Sequence, residues 1–360
     1  MPTLTELMSG MLERNASDLH LKTGNPPIYR IDGELVRLDG DVLTDAQIME
    51  MIKSVLKPED LDKYRKIKEL DTSCMLGDIA RFRVNVCCDD GDLRVVMRII
   101  PMEIKKIDDL GLPKVLHRVC QLANGLCLVT GVTGSGKSTT LAALIDEINE
   151  TRPVHVVTIE DPLEFLHRDK KAIITQREVG HDTLSFANAL RAALRQDPDV
   201  ILIGEMRDAE TVKTALASAE TGHLVFSTLH TVDAVETLNR ILDFFEPHQQ
   251  GQIRKQMASV LRAVVSQRLL RLKSGSGRCV ASEVLIGTRA VRDFIEQGKS
   301  LKEIVKLIEE GHEQHGMQTF DQDLLRLYRE GKISDRTAVE NATSPNDVLR
   351  AIKGFSDKKI

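Results

Sequence analysis

The stretch Leu126-Cys127-Leu128-Val129-Thr130-Gly131-Val132-Thr133-Gly134-Ser135-Gly136-Lys137-Ser138-Thr139 decides the fold. Leu126–Thr130 reads as a strand running directly into Gly131, and Ser138 opens a helix. That strand, loop and helix order is the context a phosphate-binding loop requires. Gly131, Gly134 and Gly136 let backbone N–H groups turn inward around phosphates, with Thr133, Ser135 and Thr139 completing the loop. Lys137 is placed to reach the terminal phosphates of ATP, and Ser138 to offer its hydroxyl to Mg²⁺. At average residue frequencies the pattern arises by chance in roughly one chain in a hundred of this length. The flanking strand and helix reduce that further.

Outward from this loop, short apolar strands alternate with helices. Val154–Ile159, Val200–Ile203 and Leu224–Ser227 read as strands, most of them continuous in large aliphatic residues, as burial on both faces demands. Helices are predicted at about 138–149, 184–195, 209–220 and 250–266, and a further strand at Val280–Ile286. This alternation predicts an α/β domain with a mostly parallel sheet. From about Thr288 the pattern is helical, broken at Gly298, Gly311, Gly316 and Gly331.

In such sheets ligands bind outside the carboxyl ends of the strands. Glu205 follows Val200–Ile203 and Gly204, where an acid commonly serves the Mg²⁺ shell or the attacking water. Glu160 and Asp161 follow Thr158-Ile159; the alternative is a turn shaped by Pro162. His230 follows the fourth strand, with Thr228 and Thr231 beside it and His223 before it. A histidine pair here could sense a γ-phosphate or be merely structural.

The first hundred residues read differently. Leu4, Leu7, Met8, Met11 and Leu12 form one helical stripe, and Ser17–Leu21 a strand. Asp32-Gly33 marks a hairpin, and Thr44 with Gln47 a capping box opening a helix to about Leu56. Residues 80–100 form a second hairpin around Asp89-Asp90-Gly91-Asp92. On it Arg81, Arg83 and Asn85 share one face, and Arg94 and Arg98 return on one face, opposite an apolar side. The face is either solvated or presents arginine donors to a neighbouring subunit's ATP. Turn formers between Pro101 and Pro113 read as a linker. The expected division is a small α+β domain over 1–100, a linker over 101–115, a nucleotide domain over 116–287 and a helical C-terminal region over 288–360.

Composition narrows the partners. Fifty-four acids against 49 bases give a net charge of −5, so no global basic field for nucleic acid exists. Trp is absent and aromatics are 3%, too few for base-stacking platforms. The six cysteines form no C-x-x-C pair and read as reduced thiols. Neither a secretory signal nor a membrane-spanning run is evident, so a cytoplasmic chain with at most peripheral membrane contact is expected.

With these residues in view, the chain resembles the type IV pilus retraction ATPases of the secretion-ATPase superfamily over nearly its whole length. The matching stretches are Ser17–Leu21, the phosphate loop, Thr158–Phe165 (the family's Asp box), Leu194–Asp199 through Gly204–Asp208 (its atypical Walker B region) and Thr221–Leu224 through Thr228–Thr231 (its His box). The resemblance implies a PAS-like N-terminal domain, a RecA-like ATPase domain and a homohexameric ring with ATP between domains. It implies that Glu160 polarises the attacking water, Glu205 acts through the Mg²⁺ shell and His230 meets the γ-phosphate. Arg81, Arg83 and Arg98 match arginines of the family's N-terminal domain, which favours the reading in which they act in trans. An inner-membrane pilus platform protein is the implied partner, and a second retraction ATPase a further candidate.

One departure stands out. Retraction ATPases usually carry Ala-Ile-Arg-Asn-Leu-Ile in the C-terminal region, where this chain has Ala290-Val291-Arg292-Asp293-Phe294-Ile295. An accessory paralogue is therefore one alternative. Assembly and secretion ATPases commonly have a longer N-terminal region and a tetracysteine module. This chain starts at the small domain and has only Cys279 after the nucleotide core, which favours retraction. A nucleic-acid translocase is opposed by charge and scarce aromatics, and a non-hydrolysing adaptor by the intact Lys137, Ser138, Glu160 and Glu205.

Overall fold

The computed structural model describes residues 2–31, 33–77, 79–100, 103–298 and 303–354. Two units divide the chain, Met1–Glu103 and Ile104–Ile360. In the first, strands β1 (Asp18–Lys22), β2 (Ile28–Ile31), β3 (Glu34–Arg37), β4 (Glu69–Leu76), β5 (Ala80–Asp89) and β6 (Asp92–Ile100) make an antiparallel sheet in the order β3-β2-β1-β6-β5-β4. The period-2 alternation dictates its faces. Phe82, Val84, Val86, Val95 and Met97 are fully buried beneath the helices, together with Met8, Leu19 and Leu21. Asp90 and Gly91 both take positive φ, 55° and 89°, the signature of the tight turn that joins β5 to β6.

Thr3 with Glu6 and Thr44 with Gln47 form reciprocal capping boxes on the helices Leu4–Glu13 and Asp45–Lys53. The second helix stops at Lys53, short of Leu56. Leu56 is buried all the same, reached through a turn. Asp32 of the first predicted hairpin lies outside the described residues, but β2 and β3 pair antiparallel around it.

The second unit is built on β7 (Gly125–Thr130), β8 (His155–Glu160), β9 (Ile173–Glu178), β10 (Val200–Ile203), β11 (Leu224–Leu229), β12 (Leu261–Arg271) and β13 (Arg278–Ile286), in the order β13-β12-β7-β11-β10-β8-β9. All neighbours are parallel except β12 and β13. The helices Lys137–Thr151, Phe186–Ala193, Ala209–Glu220, Ala234–Asp243 and Pro247–Val260 belong to the same unit. Of residues 104–113, Ile107 and Leu112 are buried in this unit's core, and Lys106 bonds Asp146 and Glu150.

The α/β class, the small α+β unit and the helical C-terminal region agree with the sequence reading. The helix expected over about 250–266 does not. It ends at Val260, and Leu261–Arg271 is a strand paired with β7. The apolar run there fits either period, and the β-branched Val264 and Val265 lie on the strand side of it. In the C-terminal region Val291 and Ile295 are fully buried on the helix Arg289–Gln297, so that face is spent on the chain's own core.

Phe82 fills the centre of the first unit's core. Phe82→Ala should cost about 3–5 kcal/mol in denaturant unfolding of the full chain. A loss below about 1 kcal/mol would mean the site collapses freely around the deletion.

Candidate nucleotide site

Because β7, β11, β10 and β8 are adjacent and parallel, their carboxyl ends are level. Thr130 pairs with Leu229, and Ile203 with both Ser227 and Ile159. The phosphate loop, His230, Glu205 and Glu160 therefore leave the sheet side by side from four neighbouring strands. That is where an open α/β sheet binds ligands.

The loop is shaped by what its glycines lack. Gly131 has φ +143°, and a Cβ there would sit 2.5 Å from the Gln267 carbonyl oxygen and 2.5 Å from Ser135 Oγ. Only glycine permits that approach. Gly136 precedes the helix Lys137–Thr151 at φ 93° with no side chain capping it, so the first-turn N–H groups face the loop. Ser135 Oγ is buried and has no hydrogen-bond partner among the described residues. A buried hydroxyl, uncapped amides and an ammonium in one loop are the donor set a phosphate chain needs. Lys137 Nζ donates to the carbonyls of Gly131 (2.8 Å) and Val132 (3.1 Å). Burial pulls its pKa down, and Glu205 works in the opposite sense. Ser138 and Thr139 are half-buried on the opening turn.

Glu205 is not alone at its strand end. Arg207 Nη2 pairs with one carboxylate oxygen, and His230 Nε2 lies 3.4 Å from the other. Arg207 Nη1 also reaches Asp161 Oδ2 at 3.4 Å. Arg207 lies within the stretch that carries the family resemblance, but the sequence offered no reason to give it this bridging place. Thr228 Oγ1 donates to the Gly204 carbonyl at 2.6 Å, fastening the residue before Glu205 to the strand that carries His230.

Glu160 sits in a different environment. It is buried, accepts from Thr158 Oγ1 at 2.8 Å and meets the Glu164 N–H at 3.4 Å. Gly204 packs beside it, where a Cβ would stand 3.4 Å from Glu160 Cα, an ordinary contact distance. Burial pushes its carboxyl up to about 7 from an ordinary 4.5, the hydrogen bonds opposing.

The arginine hairpin belongs to the first unit. Arg83 and Arg98 are directly paired across β5 and β6. Arg98 Nε donates to the buried Asp18 at 2.7 Å while most of its side chain is exposed. Arg83 is half-exposed, with Asp71 at 3.9 Å. Arg81 is buried and donates to Ser73 Oγ at 2.8 Å, so it is not presented on the surface as the alternation implied.

Comparison with known proteins places this geometry. The family described as Type II/IV secretion system protein matches residues 1–335. The chain belongs to that family. It is 43% identical over 344 residues to the type IV pilus retraction ATPase PilT of Pseudomonas aeruginosa, covering 96% of this chain and 99% of the relative. It is also 38% identical to the type IV pilus ATPase PilU of the same organism, covering 97% of this chain and 91% of the relative. A crystal structure of the pilus retraction motor PilT with bound ADP superposes with a TM-score of 0.91 at 43% identity, covering 97% of this chain and all of that one. As a secretion-ATPase family member this chain is an ATPase with a nucleotide site.

Glu160 gives the site a measurable pH signature. Its folded pKa is raised, so the folded state binds the proton more tightly. The stability it contributes is full below about pH 4.5 and is lost as pH rises through about 7. In nucleotide-free protein, going from about pH 4 to about pH 8 should cost the parent of the order of 3 kcal/mol more than Glu160→Gln. Denaturant unfolding at both pH values measures this. Parallel curves for the two proteins would show that Glu160 is not desolvated as described.

Proposed function

We propose that this chain is the subunit of a homohexameric motor that drives type IV pilus retraction, the pilin fibre being depolymerised by ATP hydrolysis coupled to domain rotation. The convergence of phosphate loop, Glu160, Glu205 and His230 on four adjacent strand ends carries this reading. The 43% identity over nearly all of both chains sets its direction toward retraction.

In this reading the amides of 131–138 and Lys137 hold the phosphates of ATP, with Gly131, Thr133, Gly134, Ser135, Gly136 and Thr139 shaping the cradle. Ser138 and Glu205 would hold Mg²⁺, which when bound neutralises phosphate charge. Glu160 orients and deprotonates the attacking water; a carboxyl near 7 is suited to accept a proton at neutral pH. His230 meets the γ-phosphate region from beside Glu205. Arg83 and Arg98, more exposed than Arg81, serve as charge-stabilising donors to a neighbouring subunit's ATP.

No helix among the described residues is long and apolar enough to cross a membrane. The motor works at the cytoplasmic face of the inner membrane, peripherally, against a pilus platform protein, and a second retraction ATPase is a candidate companion. The likeness to PilU favours a second reading, an accessory ATPase of the same machine.

Lys137→Ala and Glu205→Ala should each lower Mg²⁺-dependent phosphate release by at least about a hundredfold. Mixing an Arg83→Ala chain with a Lys137→Ala chain should restore part of the lost hydrolysis, because some interfaces then join an intact loop to an intact arginine. Unchanged release in both single variants would sink the enzymatic assignment. No recovery in proven mixed rings, with Arg98→Ala and Arg81→Ala tested likewise, would refute action in trans.

A further inference from the structure

The loop that carries His230 is pinned by Thr237, Glu236 and Glu283, none of which belongs to the boxes already described. His230 is half-exposed beside Glu205, whereas the next residue, Thr231, is buried. Thr231 Oγ1 lies 2.7 Å from Thr237 Oγ1 on the helix Ala234–Asp243. The Val232 N–H donates to Glu236 Oε2 at 2.9 Å, and the Ala234 N–H donates to the buried Glu283 Oε1 of β13 at 2.8 Å.

Thr237 is fully buried, and its contacts fix the direction of the bonds. A hydroxyl has one proton to give. Thr237 Oγ1 lies 2.6 Å from the Asp233 carbonyl, which has only lone pairs, so the proton goes there. The Thr237 oxygen is then the acceptor for the Thr231 hydroxyl. Its remaining neighbour is Thr130 Oγ1 at 3.4 Å, the last residue before the phosphate loop, which itself donates to Ser266 Oγ at 2.9 Å. Thr237 thus stands where the base of the phosphate loop and the His230 loop come together at the carboxyl ends of β7 and β11. Valine in its place would leave the Thr231 hydroxyl buried and without its acceptor, at a cost that moving Thr231 would relieve.

We propose that Thr237 is a positioning residue for hydrolysis: by accepting from Thr231 it sets where His230 meets Glu205 and the γ-phosphate. This rests on the reading of His230 given above. It acts on the chemical step more than on ATP binding, because the contacts of Lys137 and the loop amides do not run through it. A misplacement of about 1 Å at a catalytic group is enough to cost orders of magnitude in rate.

The test is steady-state phosphate release by the full chain with ATP and Mg²⁺, comparing the parent, Thr237→Val, Thr237→Ser, His230→Ala and the Thr237→Val/His230→Ala double variant. Thr237→Val should lower kcat about tenfold or more with KM for ATP changed less than about threefold, and Thr237→Ser, which keeps the oxygen, should stay within about threefold of the parent. In the His230→Ala background Thr237→Val should cost less than about threefold, since there is no imidazole left to misplace. Should Thr237→Val not fold, Thr231→Val deletes the other half of the same bond and is expected to give the same pattern. An equal cost of Thr237→Val in both backgrounds, or its undiminished kcat where His230→Ala is impaired, would overturn the inference alone. Undiminished turnover in His230→Ala would overturn the assignment of His230 and the inference with it.

Discussion

A strand buried on both faces must pair its backbone N–H and C=O groups with neighbouring strands. In β7, β11, β10 and β8 that requirement fixes the register residue by residue. A slip of one position would turn every side chain to the opposite face. The chemistry of the site inherits this constraint. Glu160 closes β8, Glu205 follows β10 at one residue's remove, His230 follows β11, and the loop from Gly131 follows β7. None of these groups needs a long-range contact of its own to find the others, because the sheet has already levelled the strand ends. Gly131 then finishes the arrangement by admitting backbone where a side chain would collide with the Gln267 carbonyl.

The two acids so delivered are held in contrasting surroundings. Glu160 is withdrawn from water, with a threonine hydroxyl and a backbone amide as its partners, and its proton is held up to about 7. Glu205 faces nitrogen donors instead, with the Arg207 guanidinium on one oxygen and the His230 imidazole near the other. Separate environments for paired titratable groups are how a single site assigns different tasks to similar side chains. Lys137 shows the same economy of burial, its ammonium anchored on two loop carbonyls.

Much of this was legible in the sequence because it is written in local chemistry. A phosphate loop needs glycines at fixed spacing, buried parallel strands need aliphatic runs, and a tight hairpin needs Asp-Asp-Gly-Asp. What escaped the sequence reading depends on partners distant in the chain. Leu261–Arg271 is a strand because β7 and β13 flank it, and its first residues continue an apolar helical run without a break. Arg81 alternates with Arg83 in sequence yet is buried, since Ser73 of β4 receives it. In sequence Arg207 is only part of the Gly204–Asp208 stretch and nothing singles out Thr237; their places at Glu205 and Thr231 follow from the folded chain alone. Val291 and Ile295 lie in the region read as helical, and the face they share is turned into the core.

On the proposed function, hydrolysis at these strand ends drives fibre shortening. The most direct measurement is fibre length over time in a retraction-deficient pilus-bearing strain complemented with the intact chain or with Glu205→Ala at matched abundance. Shortening with the intact chain and none with Glu205→Ala is the expected result. Shortening restored equally by both, or by neither, would contradict it.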